Sequence, residues 1–201
     1  MVRPFAAPRT AEPGRRRGPR QLPQRDDRGP SRDLRHGRRQ APGVRRVITI
    51  RRVGPRDEEL LLAWANDPVT RAASFHPDPI DAATHAAWLR GRLTSPTTRL
   101  FIGLDGEVPV GHVRLEGQPN GRVEVAISVA AGARGRGIGQ TLLAAGLDAG
   151  RADQDLAARA FIARIRPDNR ASVALFSGAG FGRVAESVCN GVPCLVYERP
   201  A

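Results

Sequence analysis

The chain contains no lysine: all 32 of its basic residues are arginine. That absence removes one large class of nucleotide site, because a phosphate loop of the G-x-x-x-x-G-K-[ST] type needs a lysine at the start of its helix. Codon composition accounts for the bias more simply than function does. Cysteine is nearly absent, with only Cys189 and Cys194, so neither a disulfide framework nor a zinc site is expected, and no other metal. The two flank Asn190-Gly191, which reads as a hairpin turn, and could face each other across two strands as reduced thiols. No run approaches the roughly 18 apolar residues of a membrane span, which points to a cytoplasmic protein without a membrane partner.

What the chain has in excess is positive charge, and it is unevenly placed. The formal net charge is +12 and the isoelectric point near 11.5, values that ordinarily suggest a nucleic-acid partner. Residues 1–46 hold 14 arginines and 4 acids, many prolines and glycines, and almost no large apolar side chains. Such a segment cannot bury enough surface to offset its ordering entropy, so it reads as a disordered arm. It lacks the apolar run of a secretory signal, and its acids and prolines set it apart from an arginine-rich transit peptide. A functional tail and a translated upstream extension of the gene both account for it. Non-specific nucleic-acid binding through the arm is the non-enzymatic alternative for the chain, although no aromatics or base-reading motif accompany the charge. Residues 47–201 hold 18 arginines and 16 acids, a nearly balanced set, and read as one folded domain.

Within that domain, residues 47–53 (VITIRRV) alternate β-branched and polar side chains before Gly54-Pro55, predicting a strand. Asp57 then occupies an N-cap position for a short helix, DEELLLAWAND, stopped before Pro68. A second helix follows an Asp81 cap, with Ala82, His85, Ala86, Trp88, Leu89 and Leu93 at helical spacing. From Arg99, two apolar runs flank Asp105-Gly106, a strong hairpin signal, and GRVEVAISV adds a third strand ending at Val129. A helix over 138–152, a strand over 158–165, a helix over 169–179 and strands over 181–189 and 194–198 complete the chain. This β-α-α-β-β-β-α-β-α-β-β order calls for a mixed α/β sheet with helices on its faces.

Residues 131–141 read AGARGRGIGQT. A strand running into a glycine-rich turn and then a helix presents orphan amides to an anion, and the helix dipole favours negative charge there. Gly135, Gly137 and Gly139 let the backbone come close, Arg134 and Arg136 add charge, and the expected ligand is a pyrophosphate or similar polyanion. The G-x-G-x-G spacing departs from the dinucleotide fingerprint G-x-G-x-x-G, and antiparallel hairpins rather than a βαβ unit precede it. The stretch Arg134-Gly135-Arg136-Gly137-Ile138-Gly139 resembles the [QR]-x-x-G-x-[GA] signature of the GCN5-related N-acetyltransferases (GNAT). Residues 169–181, NRASVALFSGAGF, are similar to that family's following segment, N-x-x-[AS]-x-x-[LF]-[YF]-x-x-x-G-F. The resemblance covers residues 47–201 and excludes the arm.

That resemblance implies a mixed, largely antiparallel, twisted sheet of about seven strands, helices on both faces, and acetyl-CoA held where two central parallel strands splay apart. It implies direct attack of a primary amine on the thioester in a ternary complex. Backbone groups of Ile127 and Val129 would pair with pantetheine, and amides from Gly135 through Ile138 to Gln140 would hold the pyrophosphate. A backbone N–H near Val129 would stabilise the oxyanion. Glu124, in VEVAI where the family often has AEIGI, is the expected base acting through water; it also reads as a polar-face residue of a half-exposed strand. Phe176 stands where the family often has a tyrosine acid, leaving Tyr197 as the only phenol in the chain, a candidate acid whose place on the last strand suggests edge packing more than chemistry. A thiol with a pKa of roughly 8.5 leaves as thiolate without full protonation. Asn169 either bonds a cofactor carbonyl or caps its own helix. A homodimer is the family's habit.

The acceptor amine is expected to meet the first helices. There Trp64, Asn66, Arg71, Ser74, Phe75, Ile80, His85 and Trp88 resemble acetyltransferases of bacterial sugar-modification routes that act on a UDP-linked amino sugar on the way to pseudaminic acid. Arg71 would pair with a phosphate, Trp64 or Trp88 would stack on a ring, Asn66 would bond hydroxyls, Ser74 would line the site, and His85 would serve as an auxiliary base. Both tryptophans also lie at core-facing helical spacing. A protein N-terminal or ribosomal-protein acetyltransferase, or one for polyamines or antibiotics, is the alternative within the family.

Overall fold

The computed structural model describes residues 47–201; the arm assigned to 1–46 lies outside the described residues. Hairpin chemistry builds most of the sheet. Strand β1 (Ile48–Arg52) pairs with β2 (Thr98–Asp105), β2 with β3 (Val108–Gly117) and β3 with β4 (Arg122–Val129), all antiparallel. The expected turn after Asp105 is the two-residue loop Gly106-Glu107, with Gly106 at φ 65°. β5 (Ala160–Ile165) then runs parallel to β4, and β6 (Gly182–Cys189) and β7 (Val192–Pro200) form a closing hairpin. β7 inserts between β5 and β6, giving the order β1-β2-β3-β4-β5-β7-β6. The result is the expected seven-stranded, mostly antiparallel sheet with one parallel pair near its centre.

Helices cover both faces. On one, α4 (Ile138–Ala152) and α5 (Arg170–Gly178) bury Leu142, Leu143, Leu147 and Phe176 against Val113, Leu115, Val125 and Phe161. α4 approaches the sheet closely because Gly146 and Gly150 lie one turn apart on its inner face. A Cβ on either would stand 2.8 Å from the side chain of Val113 or Phe161 respectively. On the other face, α1 (Glu58–Ala65) and α3 (Ala82–Thr94) bury Leu61 and Leu89 against Leu100 and Ile102 of β2, with Trp64 and Trp88 packed against that cluster. Among the described residues no helix is long and apolar enough to cross a membrane.

Four expectations need correction. Pro68 follows the end of a helix as expected, yet it also starts α2 (Pro68–Ala72), where Asp67 caps by accepting from Thr70 N. A proline has no N–H to lose at the first helical position, so one residue can end a helix and open the next. Asp57 precedes α1 but makes no capping bond; its carboxylate takes both Nη atoms of Arg51 at 2.7 and 2.8 Å and Gly54 N at 2.9 Å. Cys189 lies opposite Val192 and Cys194 opposite Ser187, so the two thiols are diagonal rather than facing. Tyr197 is on an interior strand, not an edge.

The Arg51 guanidinium beside Asp57, helped by the Gly54 N–H and opposed by burial, holds the carboxyl below its ordinary value. A depressed folded pKa means that the stabilisation is present above the unfolded value, about 3.9, and is lost as pH falls through the folded one. Asp57→Asn is therefore expected to cost about 1–2 kcal/mol in urea unfolding at pH 7. The difference from the unsubstituted protein should shrink progressively as pH falls below about 3.9. A pH-independent difference would mean that shape, not charge, holds this corner.

Candidate active site

The parallel pair is the irregular part of the sheet. β4 and β5 are in register only over Arg122 with Ala160, Val123 with Phe161 and Glu124 with Ile162. Beyond Glu124, β4 stays paired with β3 as far as Val129, and β5 stays paired with β7 as far as Ile165. The two strands therefore part in the middle of the sheet. Ala130 N donates to Val110 O on the β3 side. The two-residue period of a strand then turns the backbone groups of Val125, Ile127 and Val129 toward the gap. An interior strand with a free edge can accept an extended amide-bearing chain as an added strand, which fits the pantetheine arm of coenzyme A. A cleft of about 140 Å³ occupies the gap, lined among others by Glu124, Ala126, Ile127, Ile165, Asn169 and Phe176.

The glycine loop lies at the far end of β4. Gly135 (φ 71°) and Gly137 (φ 77°) are both left-handed, and Gly137 is the N-cap residue of α4. Among the described residues the amides of 135–139 have no acceptor, and nothing lies within 4 Å of a Cβ built on Gly135 or Gly137. This is open, amide-lined space at a helix N-terminus, suited to a pyrophosphate. Ile138 is buried and anchors the turn, while a Cβ built on Gly139 would meet Leu175 and Val129 at ordinary contact distance. Gln140 departs from expectation, since its N–H turns inward to Gly137 O at 3.2 Å.

The two loop arginines differ. Arg136 is half-exposed at the loop, with Gly132 O at 3.3 Å and Asp105 at 3.6 Å. Arg134 is committed elsewhere. Its Nε donates to Val129 O at 3.1 Å, and its Nη2 to Asp67 at 2.5 Å and Thr70 Oγ1 at 3.1 Å. It thus ties the glycine loop to α2 and occupies the Val129 carbonyl that was expected to face pantetheine. Desolvating a guanidinium and giving it three acceptors makes it a structural clamp rather than a free counter-charge.

At the inner end of the gap Glu124 accepts from Gln118 Nε2 at 2.8 Å and from Arg164, both through Oε2. The carboxylate is held beside the cleft with its orientation fixed by two donors. Asn169 accepts from Ser172 N at 3.1 Å, so its side chain caps α5. The other expected role, a bond to a cofactor carbonyl, would draw on the amide nitrogen and is compatible with the cap. Phe176 is buried edge-on to Phe181, 5.0 Å between centroids, and forms an apolar wall of the cleft. Tyr197 is buried in the same core cluster and is not among the cleft's lining residues. Its position on the α4 and α5 face makes it a packing residue, correcting the expectation of an acid.

On the acceptor side three expectations change for one reason, the need to order residues 66–80. Asn66 donates to and accepts from Ile80 at 2.8 Å each, using both ends of its amide. Arg71 donates to His76 O at 3.0 Å and Asp78 O at 3.4 Å, leaving its Nε buried without a partner. Ser74 accepts from His76 N at 3.2 Å, and its carbonyl takes Arg166 Nη1 at 3.0 Å. Asn66 and Ser74 are thus loop anchors, and Arg71 is largely one. Trp64 stacks on His112 at 6.2 Å and 9°, and His85 lies tilted against Trp88 at 5.3 Å. His85 is buried, neither ring nitrogen has a partner, and burial lowers its pKa against a raising effect of Glu58.

Sequence reasoning missed His112, Arg114 and Glu116 of β3, and Arg164 and Gln118, which hold Glu124. The signal was present: H-V-R-L-E alternates strictly, so its three polar residues share one face. They lie directly opposite Ser128, Ala126 and Glu124 of β4, on the face away from α4.

A free-edged strand, a splayed parallel partner and an amide cradle at a helix N-terminus define an acyl-coenzyme A transferase fold. Residues 48–182 match the family model described as "Acetyltransferase (GNAT) domain", and the chain belongs to this family of acetyl-CoA-dependent N-acetyltransferases. No curated protein matches it. Ribosomal-protein-alanine N-acetyltransferase from Brucella melitensis is similar at 26% identity and TM-score 0.65, covering 76% of this chain and 99% of that one. N-acetyltransferase from Staphylococcus aureus Mu50 is similar at 22% and 0.64, covering 76% and 98%. The aminoglycoside acetyltransferase AAC(6')-Ib, solved with paromomycin and acetyl-CoA, is similar at 16% and 0.67, covering 76% and 93%. The latter two likenesses speak for the fold alone.

Proposed function

We propose that the protein acetylates the primary amine of a small amino sugar, one linked to a nucleotide, by direct attack within a ternary complex. The observation that carries this reading is the position of Glu124, fixed by Gln118 and Arg164 at the inner end of the cleft between β4 and β5. Acetyl-CoA, when bound, supplies an activated acyl group. The residues proposed to hold it are Ile127 through its backbone, Val129 through its N–H, Gly135 to Gly139 through their amides, Arg136 through its charge and Phe176 through its apolar wall. Glu124 takes the ammonium proton through water, so that the neutral amine can attack. A backbone N–H near Val129 would stabilise the negative charge that develops on the thioester oxygen. An amino sugar is supported by the sequence resemblance of the acceptor-side segment, in which Asn66, Arg71 and Ser74 shape the loop over 66–80 rather than offer direct contacts, and AAC(6')-Ib, of the same fold, is itself solved with an aminoglycoside.

A thiol-release assay with acetyl-CoA tests this against UDP-linked amino sugars, aminoglycosides, polyamines and alanine-terminated peptides. Turnover of a nucleotide-linked amino sugar at least tenfold faster than of any peptide is expected. Turnover of peptides alone would overturn the sugar reading in favour of a protein N-terminal acceptor, the activity named for the Brucella melitensis protein.

A further inference from the structure

The face of the sheet beside α1 and α3 holds an unusual concentration of unsatisfied polar groups. Buried side-chain nitrogen or oxygen atoms without a partner occur, among the described residues, on Arg71, His85, Thr98, His112 and Arg114. Thr98 of β2 lies opposite Glu116, and His112 and Arg114 are alternate residues of the same strand, β3. His85 projects from α3 onto the same face, close enough to His112 to lower its pKa. Folded proteins leave few buried polar atoms unpaired, since each costs its desolvation energy. Thr98, His112 and Arg114 share one face of the sheet, next to the acyl-transfer cleft.

The two arginines with an unpartnered buried Nε differ in their surroundings: Arg71 donates from Nη1 to the carbonyls of His76 and Asp78, whereas Arg114 lies on β3 beside Glu116. Glu116 is paired with Arg92, Glu124 with Arg164, and Glu198 with Arg122. Arg114 has a buried Nε without a hydrogen bond; it forms an ion pair at 3.7 Å with Oε2 of Glu116, whose Oε1 takes Arg92. Burial lowers the Arg114 pKa, with Glu116 opposing that and Arg92 adding to it. His112, pushed down to about 4 by burial, with Arg114 and His85 adding to the shift, is a neutral neighbour at working pH. Arg92 and Arg114 therefore share the two oxygens of one carboxylate, Glu116, and this group of three carries one more positive charge than negative. The cross-strand partner of Arg114 is Ala126, which lines the cleft. Glu124 lies two residues from Ala126 along β4, about 7 Å away.

We infer that this face recognises an anionic group on the acceptor, with Arg114 receiving a carboxylate or phosphate while the amine lies near Glu124. This rests on the acetyl-transfer reading above and moves the expected anion contact from Arg71 to β3. The neutral imidazoles of His85 and His112 offer the same acceptor both donors and acceptors for its hydroxyls.

The test uses matched acceptor pairs that differ only in the anion: an amino acid and its amide, and an amino sugar and its phosphate. Full-length protein is expected to prefer the anionic member of one pair at least twentyfold in kcat/KM, and the pair identifies carboxylate or phosphate. Arg114→Gln should cut that preference to threefold or less, mainly through KM of the anionic member, and Arg114→Lys should restore part of it. An unchanged dissociation constant for acetyl-CoA in both variants shows that they fold. Calorimetric titration of the same pairs gives the same readout independently of turnover, so a failure of acetyl transfer is distinguishable from a failure of this inference. Equal affinity for the members of both pairs, or an equal loss on both members in Arg114→Gln, would overturn it.

Discussion

Replacing Gly137 with valine is expected to weaken acetyl-CoA binding about a hundredfold, read as a calorimetric dissociation constant. Gly137 has φ 77° at the start of α4, and nothing within 4 Å would crowd an added Cβ. The obstacle is therefore conformational rather than steric. An ordinary L-residue in the left-handed region costs about 1–2 kcal/mol, and a β-branched one more. The loop escapes by rotating out of that conformation, which turns the amides of 135–139 away from the place where a pyrophosphate would sit. A charge-assisted hydrogen bond from one such amide to a phosphate oxygen is worth about 1.5–3 kcal/mol, so breaking a single one brings the effect to the stated size. Asparagine tolerates the left-handed region, and Gly137→Asn should retain binding within about tenfold. If valine and asparagine weaken binding alike, the amides of this turn do not hold the cofactor. A change in melting temperature without a change in affinity would assign Gly137 to helix initiation alone.

The glycine loop was legible in the sequence because its chemistry is local. Strand, left-handed glycines and helix start follow one another within a dozen residues, and the same is true of the Asp105 and Asn190-Gly191 turns. Asn190 (φ 51°) and Gly191 (φ 77°) take the paired positive φ values that such two-residue turns require. The splay was legible only through the family resemblance, since no local pattern reports that two strands stop pairing after Glu124. Side chains with several acceptable partners were the least legible. Arg71, Asn66 and Ser74 carry the chemistry of a binding site, yet each bonds the backbone between His76 and Ile80. A loop between short helices has many unpaired backbone groups, and nearby polar side chains satisfy them first. The converse holds for β3, where His112 and Arg114 pass for ordinary strand residues until the sheet sets them beside Ala126 and Ser128. Whether a polar side chain is spent on its own fold or left for a ligand is decided by neighbours distant in sequence.

Glutamate 124 separates structural from chemical use most sharply. Glu124→Gln is expected to lower kcat about a thousandfold at pH 7, within the range of about 10² to 10⁴ typical of a lost general base, and to leave the acetyl-CoA dissociation constant unchanged. Glutamine keeps the shape and can still accept from Gln118 and Arg164, but it cannot take a proton. The sign of the pH dependence then distinguishes the roles. With no base, only the fraction of amine already neutral in solution reacts, and that fraction rises about tenfold per pH unit below the amine's own pKa. The deficit of the variant should therefore shrink steadily as pH rises. Arg164→Gln supplies the contrast, because it frees the carboxylate without removing it, and should cost far less than Glu124→Gln. Equal losses in the two variants, with a deficit that stays constant across pH, would show that Glu124 serves as the counter-charge of Arg164 and that the proton leaves by another route.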